Sequence, residues 1–218
     1  MKKAVLFTVI ISLASFFTAE AQLEKGRFFI SGSSNLGLDF GSQKEKYNGD
    51  EVDDSKVSYY DINFKPTVGY TVIDNLVVGG FIDMDLYSEK SKDEDYGYTY
   101  KGSTFIIGPM LRYYFDICDK MIPYVGGGIG IGVDNSKNKA NSADDWNEYN
   151  ESVFAWWLGG GATYFFNDNI GLDGGIGFYH EAYTHKDDDS GGERSDDKYK
   201  YIYNGLGLNL GIVVLLGD

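Results

Sequence analysis

The chain has 218 residues, of which 19 are Lys or Arg and 33 are Asp or Glu, giving a formal net charge of −14. That balance excludes the basic surface that nucleic acid requires, the single Cys excludes an internal disulfide framework, and the length suits one domain. Gly 29, Tyr 18 and Phe 14 against Pro 3 favour strands with aromatic ends and leave little room for helix.

Met1-Lys2-Lys3 gives a short positive region, Ala4 to Thr18 a mostly apolar stretch, and Ala19-Glu20-Ala21 an A-x-A cleavage site before Gln22. This reads as a secretory signal in residues 1–21, with the mature domain in 22–218. The apolar run is shorter than the roughly 20 residues of a helical bilayer span, and no Cys stands at the cleavage site to carry a lipid anchor.

Eight segments of strand period follow. In the first, Arg27 to Phe40, the even positions Phe28, Ile30, Leu36, Leu38 and Phe40 alternate with Phe29, Ser31, Ser33, Asn35 and Asp39. In the second, Val57 to Val72, Tyr60, Ile62, Phe64, Val68 and Tyr70 share one face and Tyr59, Asp61, Asn63, Lys65 and Thr67 the other. After a turn at Asp74, the third sets Leu76, Val78, Ile82, Met84 and Leu86 against Phe81, Asp83 and Asp85. The fourth, Tyr98 to Phe115, sets Phe105, Ile107, Pro109, Leu111 and Tyr113 against Thr104, Gly108, Arg112 and Tyr114. The fifth, Ile122 to Val133, sets Val125, Ile129, Ile131 and Val133 against Tyr124 and a row of glycines. The sixth, Val153 to Phe166, is apolar on both faces, and continuity with the next hairpin turns Trp157, Gly161 and Thr163 inward. The seventh, Ile170 to Tyr183, carries Ile170, Leu172, Ile176 and Phe178 against Asp173, Tyr179 and Glu181. The eighth, Tyr199 to Leu216, carries Leu206, Leu208, Leu210, Ile212, Val214 and Leu216 against Tyr203 and Asn209.

The connections alternate. Short turns fall at Ile73 to Asn75, Asp116 to Met121 and Asn167 to Asn169, and long acidic segments fall between them. Together with the signal, this predicts an all-β, eight-stranded antiparallel up-and-down transmembrane barrel, with short periplasmic turns, long extracellular loops and its apolar face toward lipid. A soluble cup with the apolar face inward shares the periodicity. The aromatic strand ends, Tyr70, Tyr98, Tyr113, Phe115, Tyr164 and Tyr201 among them, favour interfacial girdles.

The runs Gly108-Pro109-Met110-Leu111-Arg112-Tyr113-Tyr114-Phe115, Ile122-Pro123-Tyr124-Val125-Gly126-Gly127-Gly128 and Gly161-Ala162-Thr163-Tyr164-Phe165-Phe166 resemble the small outer-membrane beta-barrel family of OmpX and OmpA-barrel type, in the form met in Bacteroidetes. The resemblance covers most of the mature chain and includes no catalytic signature. It implies residence in the outer membrane, contact with lipid and lipopolysaccharide, and insertion by the barrel-assembly machinery. Such barrels usually finish on an aromatic residue, whereas this chain finishes Leu215-Leu216-Gly217-Asp218, a departure that bears on recognition for assembly.

An eight-stranded barrel is just wide enough to be filled by its own side chains, so a permanent pore is not expected. A turn centred on Asp74 sets Lys65 opposite Asp83 and Asn63 opposite Asp85, with Arg112 and Asp173 nearer the periplasmic turns as the extension of a lumen charge network. Pairing for stability is the expected role, because an unpaired charge there is expensive; an ion or proton relay is the sharper alternative. The inward glycines leave room for Tyr59, Phe81, Trp157, Tyr179 and Tyr203, read as large-small packing or as a pocket for an apolar ligand.

Lys186 to Lys198 places Asp187, Asp189, Gly191 and Gly192 where a calcium loop has its first ligands, but the twelfth position is Lys198 rather than Glu. A solvated acidic loop is the expectation, weak divalent binding by Asp187 and Asp189 the alternative, and no cofactor is implied. Cys118 stands directly between Ile117 and Asp119, with neither a His nor a cation beside it to activate it. His180, Glu181, His185 and Ser190 are the residues from which a hydrolytic set would be drawn. Lipid A deacylases, however, place a Ser two positions after their His, and here Ala182 stands there. The expectation is a non-enzymatic structural or surface-interaction protein whose acidic loops offer Lys/Arg-rich partners a target; a small-solute channel and a lipid A-modifying enzyme are the alternatives.

Overall fold

A computed structural model describes residues 23–35, 39–43, 46–47, 50–51, 57–91, 97–116, 120–140, 142–143, 145–186 and 198–217. The strands are β1 Phe28–Asn35, β2 Asp39–Gln43, β3 Lys46–Tyr47, β4 Asp50–Glu51, β5 Val57–Ile73, β6 Leu76–Ser91, β7 Tyr98–Tyr114, β8 Met121–Ala140, β9 Asn147–Phe165, β10 Ile170–Lys186 and β11 Lys198–Leu216. The main sheet runs β1-β11-β10-β9-β8-β7-β6-β5-β2, and β1 pairs with β5 as well, so the sheet closes on itself. β2 takes up the pairing with β5 beyond β1, from Asp39↔Asp61 to Gln43↔Val57, so β1 and β2 form one stave of eight. Every pairing is antiparallel, and from β5 to β11 each strand pairs with its neighbour in sequence; β1 and β2 reach β5 past β3 and β4, and β1 closes the sheet against β11. β3 and β4 form a small separate ladder.

Alternation decides which face is which. Phe28, Ile30, Phe64, Val68, Leu86, Ile107, Leu111, Ile129, Ile131, Leu158, Ile176, Leu206 and Leu208 all stand exposed on the outside. Inside, Phe29, Val77, Phe81, Ile106, Met110, Tyr114, Ile122, Tyr124 and Phe165 are buried. A soluble protein does not leave so large an apolar surface in water. It is the outer face of a barrel that crosses a bilayer.

One end is sealed. In the β5–β6 turn, Asn75 adopts φ 67, a left-handed conformation that a short amide side chain tolerates. Residues 23–27 tuck under it: Asn75 donates its backbone N–H to the Leu23 carbonyl at 2.9 Å, and Lys25 N–H donates to Asp74 Oδ1 at 2.8 Å. Leu23 is thereby fully buried beneath the inward residues. Arg27 ties the same end to the β9–β10 turn, donating through Nη1 to the Asp168 carbonyl at 2.9 Å.

At the other end the strands outrun their apolar alternation. β8 continues to Ala140 and β9 begins at Asn147, so residues 147–151 of the acidic segment expected as loop lie in sheet. The ladder there is polar, as where Asn147 Nδ2 donates to Asn138 Oδ1 at 3.2 Å. Strands of 16 to 20 residues from β5 to β11 exceed the roughly 9–11 residues that a tilted span needs. The surplus forms a collar beyond the membrane.

Candidate functional site

The lumen is built in layers. At the sealed end, Leu23, Phe29, Val77, Tyr114, Ile122, Phe165, Val213 and Leu215 form an apolar floor. Next comes Asp173 of β10, 1% exposed. Its Oδ2 lies 3.1 Å from Arg112 Nη1 and accepts from the Tyr124 hydroxyl at 3.1 Å, while Oδ1 accepts from Thr163 Oγ1 at 2.6 Å. Arg112 also donates to the Tyr114 hydroxyl at 3.2 Å, and its guanidinium carbon sits 4.1 Å from the centre of the Tyr124 ring. The cation is paired, hydrogen-bonded and stacked, which is what a charge excluded from water requires.

A ring layer lies above. Phe81 of β6 and Trp157 of β9 meet edge to face at 6.4 Å, beside buried Ile106 and Met110. Glycine makes this fit: a Cβ on Gly128 would lie 2.7 Å from Trp157 Nε1 and 2.9 Å from Phe81 Cε1. Gly128 stands opposite Trp157 in the β8–β9 register, so the small residue houses the large ring of its cross-strand partner.

The Lys65 ammonium lies 5.4 Å and 5.7 Å from the Phe81 and Trp157 ring centres and 2.6 Å from Asp83 Oδ2. Asn63 Nδ2 donates to Asp83 Oδ1 at 2.9 Å, and Asn63 pairs with Asp85 in the β5–β6 register. The four lumen charges thus occupy two separate settings: Arg112 with Asp173 among tyrosines near the floor, Lys65 with Asp83 against the aromatic rings.

Above them opens a vestibule of about 480 Å³, lined by Tyr87, Tyr100, Tyr149, Tyr183, Tyr201 and Tyr203 with Asp85, Asp134 and Glu151. Asp134 is its most enclosed acid, accepting from Tyr87 OH at 3.0 Å and from Thr104 Oγ1 at 2.8 Å. Tyr183 OH donates to Glu181 Oε2 at 2.9 Å. In the collar, burial and then the Asp134 carboxylate raise the Glu151 carboxyl above its ordinary range, with His185 opposing. The apolar alternation of the fifth segment stops at Val133, so the sequence pattern does not disclose this aromatic, acidic mouth. The inward parity carried on through Asp134 and Ser136 was the available signal.

The residues considered for hydrolysis do not converge. His180 faces outward, stacked on Trp156 at 5.5 Å with its Nδ1 2.7 Å from Asn204 Oδ1, while Glu181 faces the lumen. Ser190, Cys118, Asp187, Asp189, Gly191 and Gly192 lie outside the described residues. Among the described residues no group of three or more His, Cys, Asp or Glu is placed to hold a metal ion.

A closed antiparallel sheet of eight staves, apolar outside and charged within, defines a β-barrel that crosses its membrane with strands. The chain belongs to the family of the outer membrane protein beta-barrel domain, whose model matches residues 9–213, and its place is the outer membrane. No curated protein matches it. Similar solved structures include OprG from Pseudomonas aeruginosa, at 16% identity over 91% of this chain and 100% of that one, with a TM-score of 0.46. Ail of Yersinia pestis is 14% identical over 88% of this chain and 99% of its own, with a TM-score of 0.45. The outer membrane protease OmpT from Escherichia coli is 9% identical over 88% and 94%, with a TM-score of 0.48. Identities this low assign no activity to this chain.

Proposed function

We propose that this barrel is a non-enzymatic envelope protein, whose wall holds it in the outer membrane and whose acidic outer end engages cationic groups on surface partners. The observation that carries this reading is the stack beneath the vestibule. Below it a further space of about 590 Å³ lies beside Lys65, Asp83, Asp85 and Trp157, and beneath that rings, a buried ion pair and an apolar floor follow in turn, so that the vestibule is a dead-end cup that opens on the side opposite the short turns. Tyrosine faces and carboxylates together suit Lys or Arg side chains, through ring-cation attraction and charge.

Planar-bilayer recording of the purified barrel tests the closed lumen: a silent membrane is expected, and a stable, well-resolved conductance favours a small-solute channel instead. Mass spectrometry of lipid A from cells with and without the protein tests the absence of lipid chemistry. Matching profiles are expected, and a shifted acyl or phosphate pattern overturns the non-enzymatic reading.

A further inference from the structure

The outer wall carries a basic cluster in an otherwise acidic chain. On the lipid-facing sides of β7 and β8 the last large apolar residues are Phe105 and Val133, opposite one another in register. Four residues farther up, Lys101 and Lys137 stand directly opposite each other, and Lys139 follows two residues beyond Lys137. All three ammonium groups surround one indole, that of Trp146, at 5.8, 5.1 and 5.4 Å from its ring centre.

Like charges placed directly across an antiparallel pair repel. Among the described residues no carboxylate makes an ion pair with any of the three; Glu148 stands opposite Lys137 in the β8–β9 register without closing on it. Among the described residues the three cations gather at one ring with Glu148 alone beside them and no ion pair closed, an arrangement that has a place for an anion.

Two adjoining concavities describe the anion's carrier. Lys101 and Lys137 line a hollow of about 350 Å³ together with Ser103, Asn135 and Asn150, all hydrogen-bond donors, and Glu148. Below it, on the same outward faces, a groove of about 620 Å³ runs along Phe105, Ile107, Ile131, Val133 and Phe154. At about 3.3 Å per residue and a tilt near 40°, the lysines lie roughly 10 Å above the edge of the apolar band, at headgroup depth. Trp146 fits that depth, since indoles collect at the interface. The cluster is at the end away from the short turns, hence in the outer leaflet.

The geometry points to a wall site for a phosphorylated outer-leaflet glycolipid of lipid A type: Lys101, Lys137 and Lys139 take the phosphate and the groove takes an acyl chain. The inference rests on the outer-membrane placement and not on the vestibule's role, so conductance or lipid-profile results leave it standing.

The test uses the full barrel in detergent, titrated with lipid A, with its dephosphorylated counterpart and with inorganic phosphate, and read by native mass spectrometry. Wild type is expected to bind lipid A about tenfold or more tightly than the dephosphorylated lipid. The triple variant Lys101→Gln, Lys137→Gln, Lys139→Gln is expected to lose that preference, and Lys120→Gln, at the short-turn end, to keep it. If the triple variant does not fold, as judged by heat-modified gel mobility, the single variants Lys101→Gln and Lys137→Gln are read the same way, each with a several-fold loss. Equal binding of the two lipids, an unchanged preference in the lysine variants, an equal loss in Lys120→Gln, or competition by inorganic phosphate as effective as lipid A overturns the site.

Discussion

Asp173 and Asp83 are both lumen carboxylates with a cationic partner, yet their burial differs. Asp173 accepts from Arg112, Tyr124 and Thr163 at 2% side-chain exposure, whereas Asp83 pairs with Lys65 at 13% and Lys65 itself is 23% exposed. Removing one partner leaves the other's charge uncompensated, at about 3 to 5 kcal/mol for a fully buried pair and less where water reaches it. Asp173→Leu is therefore expected to cost more than Asp83→Leu when unfolding in urea is followed with lipid present. A double-mutant cycle of Lys65→Met and Asp83→Leu is expected to show the double change well milder than the sum of the singles. Strict additivity would mean that the 2.6 Å contact contributes nothing.

At the scale of the strand, the wall is a record of alternation, and its two faces answer differently to substitution. Ile107 points to lipid and Thr104 into the lumen, where its hydroxyl donates to Asp134. Ile107→Arg, roughly 5 Å inside the edge of the apolar band, is expected to impair insertion at a cost below the roughly 2 to 4 kcal/mol of a midplane Arg, while Thr104→Ser keeps the donor and folds as wild type. Equal folding yields of the two in lipid would refute the assignment of faces. Gly128→Val tests the ring layer: the added carbons meet Trp157, Phe81 and the Pro109 carbonyl within 3.0 Å. Overpacking of about 1 to 3 kcal/mol is expected, visible as a lowered urea midpoint with a shifted Trp emission.

The strand faces were legible in the sequence because lipid on one side and a narrow lumen on the other impose a strict period of two. Register was legible between β5 and β6, where a turn centred on Asp74 sets the inward polar residues against one another; the structure keeps that register through an irregularity between Thr71 and Ile73 beside the two-residue turn. Strand ends were not. Above the bilayer both faces are wet, polar residues occupy both parities, and the pattern falls silent although the ladder runs on through Asn138 and Asn147. The vestibule is silent with it, and so is the meeting of Trp146 with three lysines of β7 and β8, which no period of two encodes.

On the scale of the whole molecule, the charge of −14 is carried largely in stretches at and beyond strand ends, such as 50–54, 89–95 and 187–197. A surface potential of that sign speeds the encounter with cations and slows it with anions, and salt suppresses both effects. Association with an oligolysine probe is expected to weaken several-fold between about 50 and 200 mM salt, and an uncharged probe to show no such dependence. Surface-plasmon measurements on the barrel in nanodiscs read this directly, and a salt-independent oligolysine affinity would remove the electrostatic basis of the proposed partner class.

Among the described residues the ladder that closes the barrel is short: β1 meets β11 over eight pairs, from Phe28↔Leu216 to Asn35↔Asn209, whereas β10 and β11 share seventeen and the stave of β1 and β2 makes six and five with β5. It joins the first stave to the last, so it can zip only once everything between is in place, and it has the fewest backbone bonds to break when the cylinder breathes. Deuterium should therefore enter at Ile30 and Gly32, whose backbone groups face β11, long before it reaches the middle of β8 and β9. A pull on the two chain ends should part the wall along this one line, and the sheet would then unroll as a ribbon whose remaining rungs stay whole.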